Sequence, residues 1–122
     1  MTDEITLTIP REPDFHRVAQ LVLGGLAARL RLTVENLEDL QLAVDSILER
    51  TAAGADDLTV HVSLREHELE TRVGPLTRAL LEEIEREADA GLDLRRVLDS
   101  TVDDVLVDGE WVVLTKKVTV DG

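Results

Sequence analysis

The apolar residues of this chain change period along its length, and that alternation limits the possible folds more than any other feature. In "EITLTIP" (4–10), Ile5, Leu7 and Ile9 fall at every second position, as on one face of a strand, and Pro10 ends the run. In "REPDFHRVAQLVLGGLAARLRL" (11–32), Phe15, Val18, Val22, Leu26 and Leu30 recur at helical spacing, and Asp14 is placed to cap the start. Gly24 and Gly25 weaken that helix intrinsically, so they are expected to serve close approach to a neighbouring element or contact with a ligand. Thr33 is the expected N-cap of a second helix, with Asn36 where an acid would complete a capping box. The buried stripe of this second helix is Leu37, Leu40, Val44, Ile47 and Leu48.

After "TAAGADD", the runs "LTVHVSL" and "ELETRV" read as two strands around the turn "REH", and Gly74-Pro75 breaks the second of them. From Leu76 the pattern is helical again: "TRALLEEIEREADA" places Leu80, Leu81, Ile84 and Ala88 on one side and acids on the other. Gly91 punctuates it, and "LDLRRVLDS" forms a short helix with Leu94, Val97 and Leu98 inward. "VDDVLV" and "EWVVLTKKVTV" flank Asp108-Gly109, a hairpin signal of type I′. There are no repeats, low-complexity segments or linkers, so 1–122 reads as a single domain. The order β-α-α-β-β-α-α-β-β implies an α+β two-layer sandwich: a mixed, mostly antiparallel sheet with helices on one face.

Composition narrows the function. The chain has 122 residues, of which 43% are hydrophobic and 32% charged, enough for one core and a soluble surface. It has no Cys, which excludes disulfides, thiolate catalysis and Cys-type zinc sites. The acidic opening "MTDEITLTIPREP" does not resemble a signal peptide. No stretch approaches the ~20 apolar residues of a membrane span, so a cytoplasmic protein without membrane contact is expected. The net charge of −13 would repel a phosphate backbone. The only aromatic residues, Phe15 and Trp111, offer no stacking platform, so nucleic acid is not an expected partner. The same acidity suits a basic protein partner, and it serves equally to keep the protein soluble.

The order of elements and three local strings resemble the anti-sigma factor serine kinases, within the superfamily of histidine kinase, gyrase and Hsp90 ATPase domains. "LTIPREPDFHRVAQLVLGGLAARLRL" is similar to the family's first strand and helix, and "VENLEDLQLAVDSILER" to the helix that bears its N-box. "GLDLRRVLDSTVDDVLVDGEWVVLTKKV" is similar to its glycine motif, the following helix and the closing hairpin. The resemblance runs over nearly the whole chain and implies a Bergerat-type ATPase-like fold.

It also shows what is missing. "EDLQLAV" matches the N-box helix, but Ser46 stands where the family has its catalytic Glu, and Arg50 where it has the magnesium-binding Asn. Serine is a poor base at neutral pH. A guanidinium offers only donors and a positive charge, so it cannot ligate a cation. Asp45 and Glu49 share a face one turn apart, but that face is rotated by about 100° from the family's, which makes them the solvated edge of the helix. Gly74 or Pro75, depending on alignment, takes the place of the Asp that reads adenine. The family's mobile lid is replaced by a short acidic helix bearing Glu82, Glu83, Glu85 and Glu87, which would oppose a triphosphate. In the glycine motif Gly91 is kept and Asp93 replaces the second Gly, where a carboxylate suits a helix start but takes the place and sign of a phosphate.

No residue is therefore expected to be catalytic, and no metal or cofactor is expected. A metal site at His61 and His67 would need further ligands, for which Glu66 or Glu68 could serve, but surface strand histidines are the ordinary reading, and His16 lies early in the first helix. Ser46 with a nearby His has no triad order or nucleophile elbow to support it, and Trp111 is expected to anchor a core or sheet face. The expectation is a non-catalytic, protein-binding regulatory domain that has lost ATP binding. Its partner would be a sigma factor or an anti-sigma antagonist, with a homodimer possible, and its contact surfaces the helix from Leu76 to Ala90 and the first helix. The alternatives are a divergent but active serine/threonine kinase, and a dimerising pseudo-enzyme partner of an active homologue.

Overall fold

The computed structural model describes residues 3–51, 56–86 and 94–118. Its elements are β1 (Asp3–Ile9), α1 (His16–Leu30), α2 (Val34–Glu49), β2 (Leu58–Arg65), β3 (Glu68–Gly74), α3 (Arg78–Glu85), α4 (Leu94–Thr101), β4 (Asp104–Asp108) and β5 (Trp111–Lys117). The five strands form one sheet in the order β1-β2-β3-β5-β4. All four pairings are antiparallel, so the parallel component that a mixed sheet would contain is absent among the described residues. Two tight hairpins, β2–β3 and β4–β5, account for two of the pairings, and neither leaves room for a parallel crossover.

Alternation along the strands sets the two faces. Leu58, Val60 and Val62 of β2, Leu69 and Val73 of β3, and Val112 and Leu114 of β5 are buried in one core with the helices. The opposite face is polar across β1–β3, with Thr8 against Thr59, His61 against Arg72 and Glu70 against Thr115, and carries Leu106, Trp111 and Val113 towards β4 and β5. Ala43, Val44, Ile47 and Leu48 of α2 are wholly buried, with Leu40 beside them. Each of the larger side chains contributes roughly 1.5–3 kcal/mol by leaving water. Thr33 caps α2 as its sequence indicates, its hydroxyl accepting from the Asn36 amide at 3.2 Å. Thr77 caps α3 in the same way, accepting from the Leu80 amide at 3.3 Å.

Four local expectations are corrected. Asp14 does not cap α1; it lies in a 3-10 turn (Pro13–Phe15), and the N-cap is Phe15, without a side-chain bond. The proline at the start of that turn fixes the backbone one step before the helix begins. The buried stripe of α1 is Ala19, Leu23, Leu26, Ala27 and Leu30, whereas Val18 is 40% exposed. Leu21, Val22 and Leu23 put apolar residues on adjacent faces, so spacing alone fits more than one stripe, and small Ala19 and Ala27 take the packed side.

Space does not require glycine at 24 or 25. A Cβ on Gly24 would lie 4.0 Å from Gln41 Nε2, and one on Gly25 would meet nothing within 4 Å. The second hairpin turns over Gly109-Glu110, not Asp108-Gly109, because Asp108 pairs with Trp111. Only Gly109 has positive φ, 63°, which matches a II′ turn with glycine first and not type I′. In the first hairpin Glu66 and His67, at φ 51° and 70°, adopt the two left-handed positions of a type I′ turn without a glycine.

Gly25→Ala is expected to stabilise the protein by about 1 kcal/mol, since an exposed mid-helix glycine costs that much relative to alanine. An unchanged or lowered urea midpoint would count against the open space at this position.

Candidate functional site

The outer edge of α2 carries Ser46 and Arg50, which the resemblance aligns with the family's base and metal ligand. The Ser46 hydroxyl donates to the Leu42 carbonyl one turn back, at 2.7 Å. This is the usual fate of a mid-helix serine, and it keeps the oxygen on its own helix. Arg50 ends the helix, and its Nη1 lies 3.1 Å from Glu83 Oε1 and 3.3 Å from Oε2. The guanidinium therefore joins the end of α2 to α3. Glu49 is exposed, while Asp45 is half-buried and lines a shallow cleft of about 340 Å³ with Gln20, Gln41 and Leu42.

Gln20 and Gln41 make a reciprocal clamp between α1 and α2. Gln20 Nε2 donates to the Gln41 carbonyl at 3.2 Å, and Gln41 Nε2 donates to the Gln20 carbonyl at 3.3 Å. Sequence reading had no signal for it beyond two polar residues flanking apolar stripes.

The end of β3 holds the second group of positions. Gly74 is buried, and the Gly74-Pro75 peptide is cis. A Cβ on Gly74 would lie 2.7 Å from Trp111 Cδ2, 2.9 Å from Cε3 and 3.0 Å from the Glu110 carbonyl oxygen. Glycine is thus needed here because the Trp111 ring lies flush on the backbone. The loop is held on both sides. The Leu76 amide donates to the Glu110 carbonyl at 2.7 Å, and Arg11 donates from Nη2 to the Pro75 carbonyl and from Nε to the Asp56 carbonyl at 2.6 Å. Ser46 and Arg50 on α2 and Gly74 and Pro75 at the strand end line neither this shallow cleft nor the one described next. Gly91 and Asp93 lie outside the described residues, as do Glu87 and Ala88 of the expected lid helix.

A second cleft, of about 320 Å³, opens between α3 and the β4–β5 turn. Its floor is Leu76, Leu81 and Val107, and its rim carries Arg78, Glu82, Glu85 and Glu110 beside Gly109. In the sequence its only trace is the spacing of Arg78, Glu82 and Glu85, which places them on one face of a helix. Leu80 and Ile84 bury the opposite side of α3 and Leu81 is buried beside the cleft, so this segment is a packed helix through Glu85. Among the described residues no group of three or more metal-ligating side chains is assembled. His61 faces Glu4, with Nε2 3.7 Å from Oε2, and His67 sits in the first hairpin turn. No helix among the described residues is long and apolar enough to cross a membrane.

No protein-family model matches the chain. Among curated proteins it is 35% identical over 79 residues to the serine-protein kinase RsbW of Listeria monocytogenes serotype 4a, strain HCC23, covering 60% of this chain and 50% of that one. It is 31% identical over 65 residues to the serine-protein kinase RsbW of Bacillus subtilis strain 168, covering 52% of this chain and 41% of that one. The chain thus spans about half the length of the curated relatives it matches. Among solved structures it is similar to the RsbU and RsbW domains of Rv1364c from Mycobacterium tuberculosis, with a TM-score of 0.68 and 12% identity over 95% of this chain and 32% of that one. The resemblance read from the sequence is borne out: the chain is RsbW-like in sequence and has the α+β fold.

Gly74→Ala is expected to cost about 1–3 kcal/mol, because the added methyl must push back an indole ring and a backbone carbonyl. Chemical denaturation checks this, and a change below a few tenths of a kcal/mol would show that the Trp111 contact is loose.

Proposed function

We propose that this chain, taken as one degenerate ATPase-like domain over 1–122, is a non-catalytic regulatory module that binds a protein partner, in the manner of an anti-sigma factor that has lost ATP binding. The observation that carries this reading is the Arg50–Glu83 ion pair. If Arg50 aligns with the family's magnesium-binding Asn, as the resemblance implies, the pair supports loss of that ligand by committing a cation there to α3. Ser46, with its hydroxyl turned back to Leu42, supports the same reading, since a serine oxygen held on its own helix is no base for a bound substrate. At the strand end, Trp111 and Arg11 hold the Gly74-Pro75 loop where the family's adenine-reading Asp would be. Asp93 at the second position of the glycine motif adds a charge of the wrong sign for a phosphate. The partner would be a sigma factor or an antagonist of the anti-sigma kind, met in the cytoplasm, and a homodimer is compatible with this role.

A second reading, an active serine/threonine kinase, draws on the name its relatives carry. It requires Asp45 or Glu49 to act as base, together with a magnesium ligand from elsewhere. Asp45 does line a cleft, which keeps it available to a ligand.

Calorimetric titration with Mg-ATP separates the two. No saturable heat is expected up to millimolar nucleotide, and a micromolar dissociation constant would overturn the proposal in favour of the kinase. Immobilised folded domain is expected to capture a defined protein from the source cell.

A further inference from the structure

We propose that the cleft between α3 and the β4–β5 turn receives a basic side chain of a protein partner, lying with its aliphatic stem on the floor and its charged head at the rim. This deepens the regulatory reading above and rests on it. The floor is apolar: Leu76 and Leu81 are 5% and 8% exposed, and Val107 is half-buried between them and solvent. Lysine and arginine have just this division, an apolar stem and a charged tip, and they bury the stem wherever the tip can stay polar.

The rim supplies the tip's partners. Glu82, Glu85 and Glu110 are exposed. Among the described residues they have no ion pair, whereas their neighbours Glu83 and Asp108 are held by Arg50 and Arg72. The acids that face the cleft are thus the ones left available. The cleft is also held open by the backbone, because the bond from the Leu76 amide to the Glu110 carbonyl, 2.7 Å, pins the turn to the approach of α3. The Trp111 ring on Gly74 fixes the same turn from below. A preformed site costs less to fill than one that must be ordered.

The rim also has a direction. Along α3 the order is Arg78, Glu82, Glu85, one cation followed by two anions on one face. A partner segment running parallel to α3 would therefore carry an acidic residue before its basic ones. The net charge of −13 steers such a segment in and disfavours a second copy of this chain as the occupant.

The test uses the full chain and a short synthetic peptide with one glutamate ahead of two lysines, followed by amide chemical shifts. Saturable shifts are expected to concentrate at Leu76, Leu81, Val107, Gly109 and Glu110. The triple variant Glu82→Gln, Glu85→Gln, Glu110→Gln is expected to bind about tenfold more weakly or worse. Replacing the lysines by norleucine, which keeps the stem, or by diaminobutyrate, which shortens the stem and keeps most of the charge at neutral pH, is expected to weaken binding to a similar degree. Shifts that map to α1 and α2, an absence of saturation, or a diaminobutyrate peptide or spermidine binding as tightly as the lysine peptide would each overturn the proposal. Wild type and the triple variant also serve as bait for the partner. Equal capture by both overturns the cleft and leaves the regulatory reading standing, whereas capture by neither overturns the reading and the cleft's role with it.

Discussion

The burial of α2 between the sheet, α1 and α4 is the constraint from which the rest of the molecule follows. Ala43, Val44, Ile47 and Leu48 have no solvent exposure, so the helix cannot rotate without exposing its stripe. With that face committed, every other residue of α2 has an assigned outlook. Leu42 and Glu49 face solvent, Asp45 and Ser46 lie at the margin, and Arg50 reaches across to α3. What chemistry the helix can perform is therefore decided by residues that contribute little to holding it in place. Such residues can change while the fold persists.

The same separation recurs at the edges of the core. Lys116, on the helix-facing side of β5, places its ammonium 2.9 Å from the Thr101 carbonyl at the end of α4 and 3.2 Å from Asp39 on α2. A cation at a helix C-terminus is favourable, and this one also ties the sheet to two helices. Arg11 plays a similar part beside Pro75, and the Gln20–Gln41 clamp joins α1 to α2. Most of these polar ties end on backbone carbonyls, and they fix the elements relative to one another.

The fold was legible because period-2 and period-3.6 patterns, Thr33 as a cap and Gly74-Pro75 as a stop are local signals, and local signals sufficed to order the elements. The errors came where two local solutions were nearly equal. α1 is apolar on adjacent faces, and packing against α2 and β1 selects Ala19, Leu23 and Ala27 over Val18 and Val22. Asp-Gly is consistent with more than one hairpin register, and pairing across β4–β5 decides which residues turn. For the candidate site, Ser46 and Arg50 could be placed on the helix from spacing alone, but the ion pair to Glu83 could not, since it joins residues 33 apart. The cleft at α3 was legible only as a charge pattern, because its floor is assembled from two segments of the chain far apart in sequence.

Trp111 has one further consequence. It is the only tryptophan, and there is no tyrosine, so essentially all the intrinsic near-ultraviolet emission of this protein arises from one ring. That ring rests on Gly74, at the end of β3. The chain therefore contains a built-in optical reporter at this spot. Its emission wavelength and quenching follow the local polarity of the Gly74-Pro75 corner, so an event that parts the indole from the backbone there would register as a spectral change without any label.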